Sequence, residues 1–173
     1  MTAHRGPTYG GGLDVEPLRG GFEGQILLPG EGAYEEARRV WNAMVDKRPA
    51  VIARCASTAE VAVAVRFARD RYLEIGVRCG GHSITGLAVP EGGLMVDLSA
   101  MRLVRVDPDR RVAWVQGGAL LGSLDRATQE QGLATTAGNV SHTGWGGWPS
   151  EGGWAGWPGD SVSAVTTSPP SRW

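Results

Sequence analysis

Two stretches of this chain concentrate residue types that could do chemistry. Residues 77–86 read Val-Arg-Cys-Gly-Gly-His-Ser-Ile-Thr-Gly. Consecutive glycines permit positive φ and let a ligand approach the backbone closely. Successive free N–H groups in such a turn form a nest for an anion. Arg78 adds a fixed charge and a forked donor suited to phosphate. Taken alone, the stretch has two readings: a diphosphate cradle, or a tight turn that leaves the His82 imidazole facing solvent. Residues 135–144, Thr-Thr-Ala-Gly-Asn-Val-Ser-His-Thr-Gly, supply a second run of small side chains, hydroxyls and N–H groups. That run is either an ordinary connection or the opposite wall of a site for a long, phosphate-bearing cofactor. Runs of this length between apolar elements are more often functional.

Elements that could position these loops follow from periodicity. Ala33, Ala37, Val40, Trp41 and Met44 recur at helical spacing and predict a helix from Glu31, stopped at Arg48 because the residue before proline resists helical backbone. Residues 50–53 predict a short buried strand. Ser57 and Glu60 form a capping box that opens a helix to about Arg71, with Val61, Val65 and Ala68 as its buried stripe. Residues 75–77 and 94–98 predict strands. Residues 103–106 and 112–115 predict a hairpin turning at Asp107-Pro108-Asp109. A helix from Ala119 to about Gln131 follows, with Leu120, Leu121, Leu124 and Ala127 inward and Gly132 as its C-terminal cap. The fold class is therefore α+β, with no internal repeat.

Composition limits the partners. The 173 residues suit one domain, and the formal net charge of -1 provides no drive toward nucleic acid or an anionic membrane. No stretch approaches the ~20 apolar residues of a membrane span, and the first residues lack a signal-like apolar core; a cytoplasmic location is the expectation. Cys55 and Cys79 make no disulfide framework and read as buried or incidental thiols. No metal site is expected. A nicotinamide-type Rossmann site is excluded, since no Gly-x-Gly-x-x-Gly joins a strand to a helix.

Several motifs in order carry a resemblance: Arg78-x-Gly80-Gly81-His82-Ser83-x-x-Gly86, then Asp97-Leu98-Ser99, then Trp114-Val-Gln-Gly117-Gly118, then Ala137-Gly138-Asn139-Val140-Ser141-His142-Thr143-Gly144. Together they resemble the berberine-bridge and 6-hydroxynicotine oxidase family, over roughly residues 20–144. The resemblance implies the FAD-binding fold of the vanillyl-alcohol-oxidase type, present as its N-terminal part only. It implies FAD joined covalently through His82, a neutral imidazole being a competent nucleophile. Arg78, Cys79, Gly80, Gly81, Ser83 and Gly86 would line the diphosphate and ribityl chain. Gly138, Val140, Ser141, Thr143 and Gly144 would form the opposing loop. Cys79 stands where the family usually has glycine. His142 has no chemical role in the family pattern and reads as structural. A muramate-dehydrogenase-like type, which holds FAD without a covalent bond, is disfavoured by His82.

The expected organisation is a loosely ordered segment over 1–29, a partial FAD-binding domain over 30–144, and an irregular, disordered tail over 145–173. The tail lacks Leu, Ile, Phe and Met and holds five of the seven tryptophans. Back-translating residues 148–173 and reading one base earlier recovers, without a stop, a segment with a Leu-x-Cys-Asp-Asn stretch that resembles the family's continuation. The tail is therefore expected to be out of frame. Three functions are open: the FAD-binding part of a flavin-dependent oxidoreductase that passes hydride from a small-molecule substrate to flavin and then to O2; a non-catalytic remnant of such an oxidase, lacking the substrate domain; and a flavin-binding module without turnover. The oligomeric state is left open. Sequencing of the coding locus is expected to show a one-base insertion near the Gly144 codon with an open continuation; the absence of that continuation would refute the frame change.

Overall fold

The computed structural model describes residues 13–147 and the strand Val165–Thr166. Two sheets form the frame. In the first, β1 (Gln25–Leu27) runs antiparallel to β2 (Val51–Arg54), and β4 (Leu94–Asp97) lies between β2 and β3 (Ile75–Arg78), parallel to both. The second is antiparallel, with β6 (Val112–Val115) between β5 (Val104–Asp107) and β7 (Val165–Thr166). Four helices accompany them among the described residues: α1 (Glu16–Arg19), α2 (Tyr34–Ala37), α3 (Thr58–Asp70) and α4 (Leu121–Gln129). A 3-10 turn follows at Trp145–Gly147. No helix among them is long and apolar enough to cross a membrane.

Side chains alternate across the first sheet, as the two-residue strand period requires. Val51, Ala53, Leu94 and Val96 face α1 and α3, packing with Leu18, Ala64, Phe67 and Ala68. Ile52 and Met95 face the other way, against Leu27, Tyr34, Ala37 and Val89. Both faces are covered, which is the usual condition of a parallel sheet. The second sheet packs Ala113 and Val115 against Leu121 and Leu124 of α4.

The two units are joined at Gly118. A Cβ there would stand 1.7 Å from the Leu98 carbonyl oxygen, so only glycine lets the chain pass. The Gly118 N–H donates to Met101 O, and that of Gln116 to Leu103 O.

Helix α3 starts as predicted, with Ser57 Oγ accepting from the Glu60 N–H at 3.3 Å. Its Glu60 carboxylate reaches one residue further back than a capping box requires. It accepts from Ala56 N–H at 2.8 Å and also from Glu23 N–H at 3.2 Å, which ties the N-terminal segment to the helix. The buried stripe is Glu60, Ala64, Phe67 and Ala68, so Val65 is a correction: it is 42% exposed. Glu60 can be buried because its oxygens are satisfied by these N–H groups.

Three further expectations are corrected. The helix over 31–48 shrinks to α2, and residues 38–48 run as a loop with Trp41 and Met44 exposed. Arg38 stops the helix by bonding Glu35 on one side and Asp46 on the other, and Tyr34 Oη donates to Pro49 O at 2.7 Å. The segment 1–29 contains α1 and β1, with Leu18 fully buried. The boundary at 144 is also too early. Trp145 is buried in the second core, its N–H donates to Ala119 O at 2.8 Å, and β7 pairs with β6. Residues 1–12, 148–164 and 167–173 lie outside the described part, and the rest of the tail expectation falls there.

Both long helices end in the same pair of backbone bonds. Leu133 N–H donates to Thr128 O and Gly132 N–H to Gln129 O, with Gly132 at φ 64°. Leu73 N–H donates to Ala68 O and Tyr72 N–H to Arg69 O, with Tyr72 at φ 53°. A left-handed L-residue is strained by ~1–2 kcal/mol. The Tyr72 side chain is almost fully exposed and loses no packing on removal. Tyr72→Gly is therefore expected to raise stability by ~0.5–1 kcal/mol, after glycine's own entropy is set against the strain. A urea titration checks it, and an unchanged or lower midpoint contradicts the strain.

Candidate cofactor site

The three parallel strands end in one row, Arg54, Asp97 and Arg78. Asp97 is fully buried and accepts from Arg54 Nε at 2.9 Å, Arg78 Nη1 at 3.3 Å and Ser99 N–H at 3.0 Å. A buried carboxylate without such partners would be unfavourable by several kcal/mol. The row therefore fixes where β3 stops and the glycine turn begins. A cleft of about 540 Å3 opens beside it, lined by Arg54, Arg78, Arg102, Ser99 and Glu36 among others.

Beyond Arg78 the chain turns through Cys79, Gly80, Gly81 and His82. Gly81 has φ 74°, and Gly86, which closes the loop, has φ 72°. Among the described residues, no backbone N–H from 80 to 85 donates a hydrogen bond. Such a run of open donors is what an anion nest consists of. The second loop is similar: among the described residues, of the N–H groups from 138 to 143 only that of Thr143 donates, to Val140 O. Residues flanking His142 are pinned to the start of α4, where Gly122 N–H donates to Ser141 O at 2.9 Å and Leu121 N–H to Thr143 O at 3.0 Å.

The two loops meet at Gly80 and Gly144. A Cβ on Gly80 would lie 2.3 Å from Gly144 N, and one on Gly144 would lie 2.2 Å from Gly80 N. This contact brings the His82 and His142 rings to 4.6 Å, inclined at 51°. His82 also lies against Trp41, with ring centroids 6.0 Å apart and planes at 13°. The loop 38–48 holds the turn from outside. Trp41 N–H donates to Gly81 O, Asn42 Nδ2 to Ile84 O and Lys47 Nζ to Gly86 O. Trp41 was not among the residues singled out as a site, because its spacing fits a helical face. Nothing in one sequence reveals its stacking.

The structure thus groups Cys79, Gly80, Gly81 and His82 with Gly144, and sets Ser141 and Thr143 at the α4 end of the opposing loop. Ser83 Oγ accepts from Ala88 N–H and shapes the far side of the turn with Gly86. Gly138 is half-buried and Val140 exposed, earlier on the second loop. Arg78 serves first as a buttress. Its Nη1 is on Asp97, its Nε donates to Arg39 O, and its Nη2 lies under Gly81, 3.4 Å from where a Cβ would be. The Cys79 side chain points inward, near Gly144 and Gly146, and burial pushes its thiol up to about 11. Cys55 is pushed up to about 12, again by burial first. Neither is a thiolate near neutral pH. Burial, and then the neighbouring His142, hold the His82 imidazole below its ordinary value, which favours the neutral ring.

Known proteins share the sequence and fold of this chain. A family model described as FAD binding domain matches residues 49–166. The chain is 34% identical to (R)-6-hydroxynicotine oxidase of Paenarthrobacter nicotinovorans over 126 residues, which cover 73% of this chain and 28% of that protein. The crystal structure of 6-hydroxy-D-nicotine oxidase from Arthrobacter nicotinovorans superposes with a TM-score of 0.72 at 34% identity, over 75% of this chain and 28% of that one. Wild-type BBE-like 1 of Physcomitrella patens gives 0.68 at 28% identity, over 73% and 28%. This chain thus spans under a third of the length of the relatives it matches. The expected fold holds, and the chain belongs to the FAD binding domain family of FAD-linked oxidoreductases.

Proposed function

We propose that this chain is the FAD-holding part of a flavin-dependent oxidoreductase, with the cofactor joined covalently to His82. The observation that carries the reading is the pair of abutting glycine loops, whose backbone donors are open and which flank one half-buried imidazole. Residues 80–83 would receive the diphosphate on their N–H groups, with Arg78 behind them as a fixed charge. Ser141, Thr143 and Gly144, with Gly138 and Val140 upstream, would form the opposite wall. His82 lies against Trp41, and burial lowers its basicity toward the neutral state in which a ring nitrogen can attack carbon. Bound flavin would supply the acceptor for a hydride from a small-molecule substrate, with dioxygen as the final oxidant.

A second reading, a chain that holds flavin without turning over a substrate, is favoured by one observation. Strand β3 is a sheet edge with Ile75 and Val77 exposed, and Trp41, Met44, Ile84 and Leu87 are exposed around the same loops. An apolar face of this kind calls for a cover. Hydrogen peroxide formation on small alcohols, amines or sugars separates the two: turnover supports the first, and flavin content without turnover the second.

Purified chain supplied with FAD is expected to stay yellow after acid denaturation, and His82→Ala to lose that colour. Colour that leaves the wild-type chain on denaturation would overturn the covalent bond while keeping FAD. Gly144→Ala is expected to lower stability by ~1–3 kcal/mol, since its Cβ meets backbone that cannot yield, and to abolish flavin binding. A variant that binds as the parent does would show that the loop contact is not the cradle.

A further inference from the structure

Strand β3 is an outer strand of the first sheet, with β4 on one side. Leu94 N–H donates to Glu74 O and Leu98 N–H to Arg78 O, both at 2.8 Å. The backbone groups that meet β4 are therefore those of Glu74, Gly76 and Arg78. Bonding directions alternate along a strand, so the N–H and C=O of Ile75 and Val77 point away from β4. Among the described residues, nothing hydrogen-bonds to them. Their side chains are also exposed, and they lie on the α3 face of the sheet, in register with Leu94 and Val96. No proline, lysine or bulge, the usual devices that block pairing, interrupts this edge.

We infer that two copies of this chain associate through β3, edge to edge and antiparallel, about a two-fold axis at Gly76. A closed pair needs antiparallel strands, because one surface must meet itself. With the axis at Gly76, Ile75 stands opposite Val77 of the second copy, and each such pair exchanges both of its outward backbone bonds. The same register sets Glu74 opposite Arg78 at both ends, on the other face of the sheet. Opposite charges directly across a strand pair attract. Arg78 can take this partner: its Nη1 is on Asp97 and its Nε on Arg39 O, while its Nη2 has no acceptor among the described residues. Gly76 carries no side chain at the axis, and its own side is covered by Ala88 and Pro90. An axis at Ile75 or Val77 would draw the buried Leu73 or Cys79 into the pairing and would separate Glu74 from Arg78. The pair joins two four-stranded sheets into one. It also removes Ile75 and Val77 of both copies from water, which favours association.

The inference is independent of the flavin reading, and its test needs no cofactor. Sedimentation velocity over a concentration series is expected to show the full chain passing from one-chain to two-chain mass. One-chain mass at every concentration up to ~0.1 mM overturns the inference. Glu74→Arg sets like charges opposite at both ends, and Val77→Pro removes an outward N–H without touching the ladder to β4. Each is expected to raise the concentration of half-association ~10-fold or more, with an unchanged circular dichroism spectrum. Disulfide linkage reads the register. A mixture of the Ile75→Cys and Val77→Cys chains is expected to link under mild oxidation, and either chain alone to stay unlinked, because diagonal sites lie ~7–8 Å apart. Cys55 and Cys79 are buried and stay out of this exchange. Dimers that neither Glu74→Arg nor Val77→Pro weakens overturn the inference, as does linkage as strong in the single variants as in the mixture. Should either substitution unfold the chain, linkage in the mixture decides alone.

Discussion

The contact between Gly80 and Gly144 is the constraint on which the rest of the site depends. Two loop backbones approach so closely that a Cβ on either would stand against the other's peptide nitrogen. The contact joins the end of β3 to the loop before Trp145, and so joins the parallel sheet to the antiparallel one. It also sets the distance between two imidazoles that lie sixty positions apart in the chain. Glycine is required here for closeness of approach, whereas at Gly81 and Gly86 it is required for positive φ.

Everything nearby serves to hold that contact in place. On the first side, Asp97 collects Arg54 and Arg78, ending all three parallel strands at one level. This buried carboxylate contributes position more than net stability, because its desolvation offsets much of the Coulombic gain. On the second side, the first turn of α4 donates to Ser141 and Thr143, and Leu120 bridges to Gly144. Between them, Gly118 lets the chain lie on Leu98 with no side chain intervening. Among the described residues, the open N–H groups of the two loops do not donate to each other.

The loop over 38–48 has a different character. It bonds to the glycine turn through Trp41, Asn42 and Lys47, while its large apolar side chains, Trp41 and Met44, stay in solvent. Its ion pairs, Arg38 with Glu35 and Asp46, lie near the surface and are worth little individually. The loop is therefore shaped by the turn it covers, and it places an aromatic ring against His82 without burying it.

Much of the frame was legible in the sequence. The cap at Ser57, the strands over 50–53, 75–77 and 94–98, the hairpin at 107–109 and the stop at Gly132 follow from patterns within a few residues, which periodicity and turn chemistry report. The glycine loops, His82 and the order of motifs were legible for the same reason, and they pointed to a flavin fold. What only the tertiary structure decided is what touches what. A helical pattern over 31–48 gave way because Tyr34 bonds Pro49 and Arg38 bonds Asp46, contacts that outweigh a weak local preference. Trp145 joined a core because Ala119 and Gly117 receive its segment, although its surroundings in sequence are glycine-rich. His142 lies beside His82, a neighbour that its surroundings in sequence do not reveal. The pairing arises from two backbones meeting in space, a condition set by packing and absent from any local pattern.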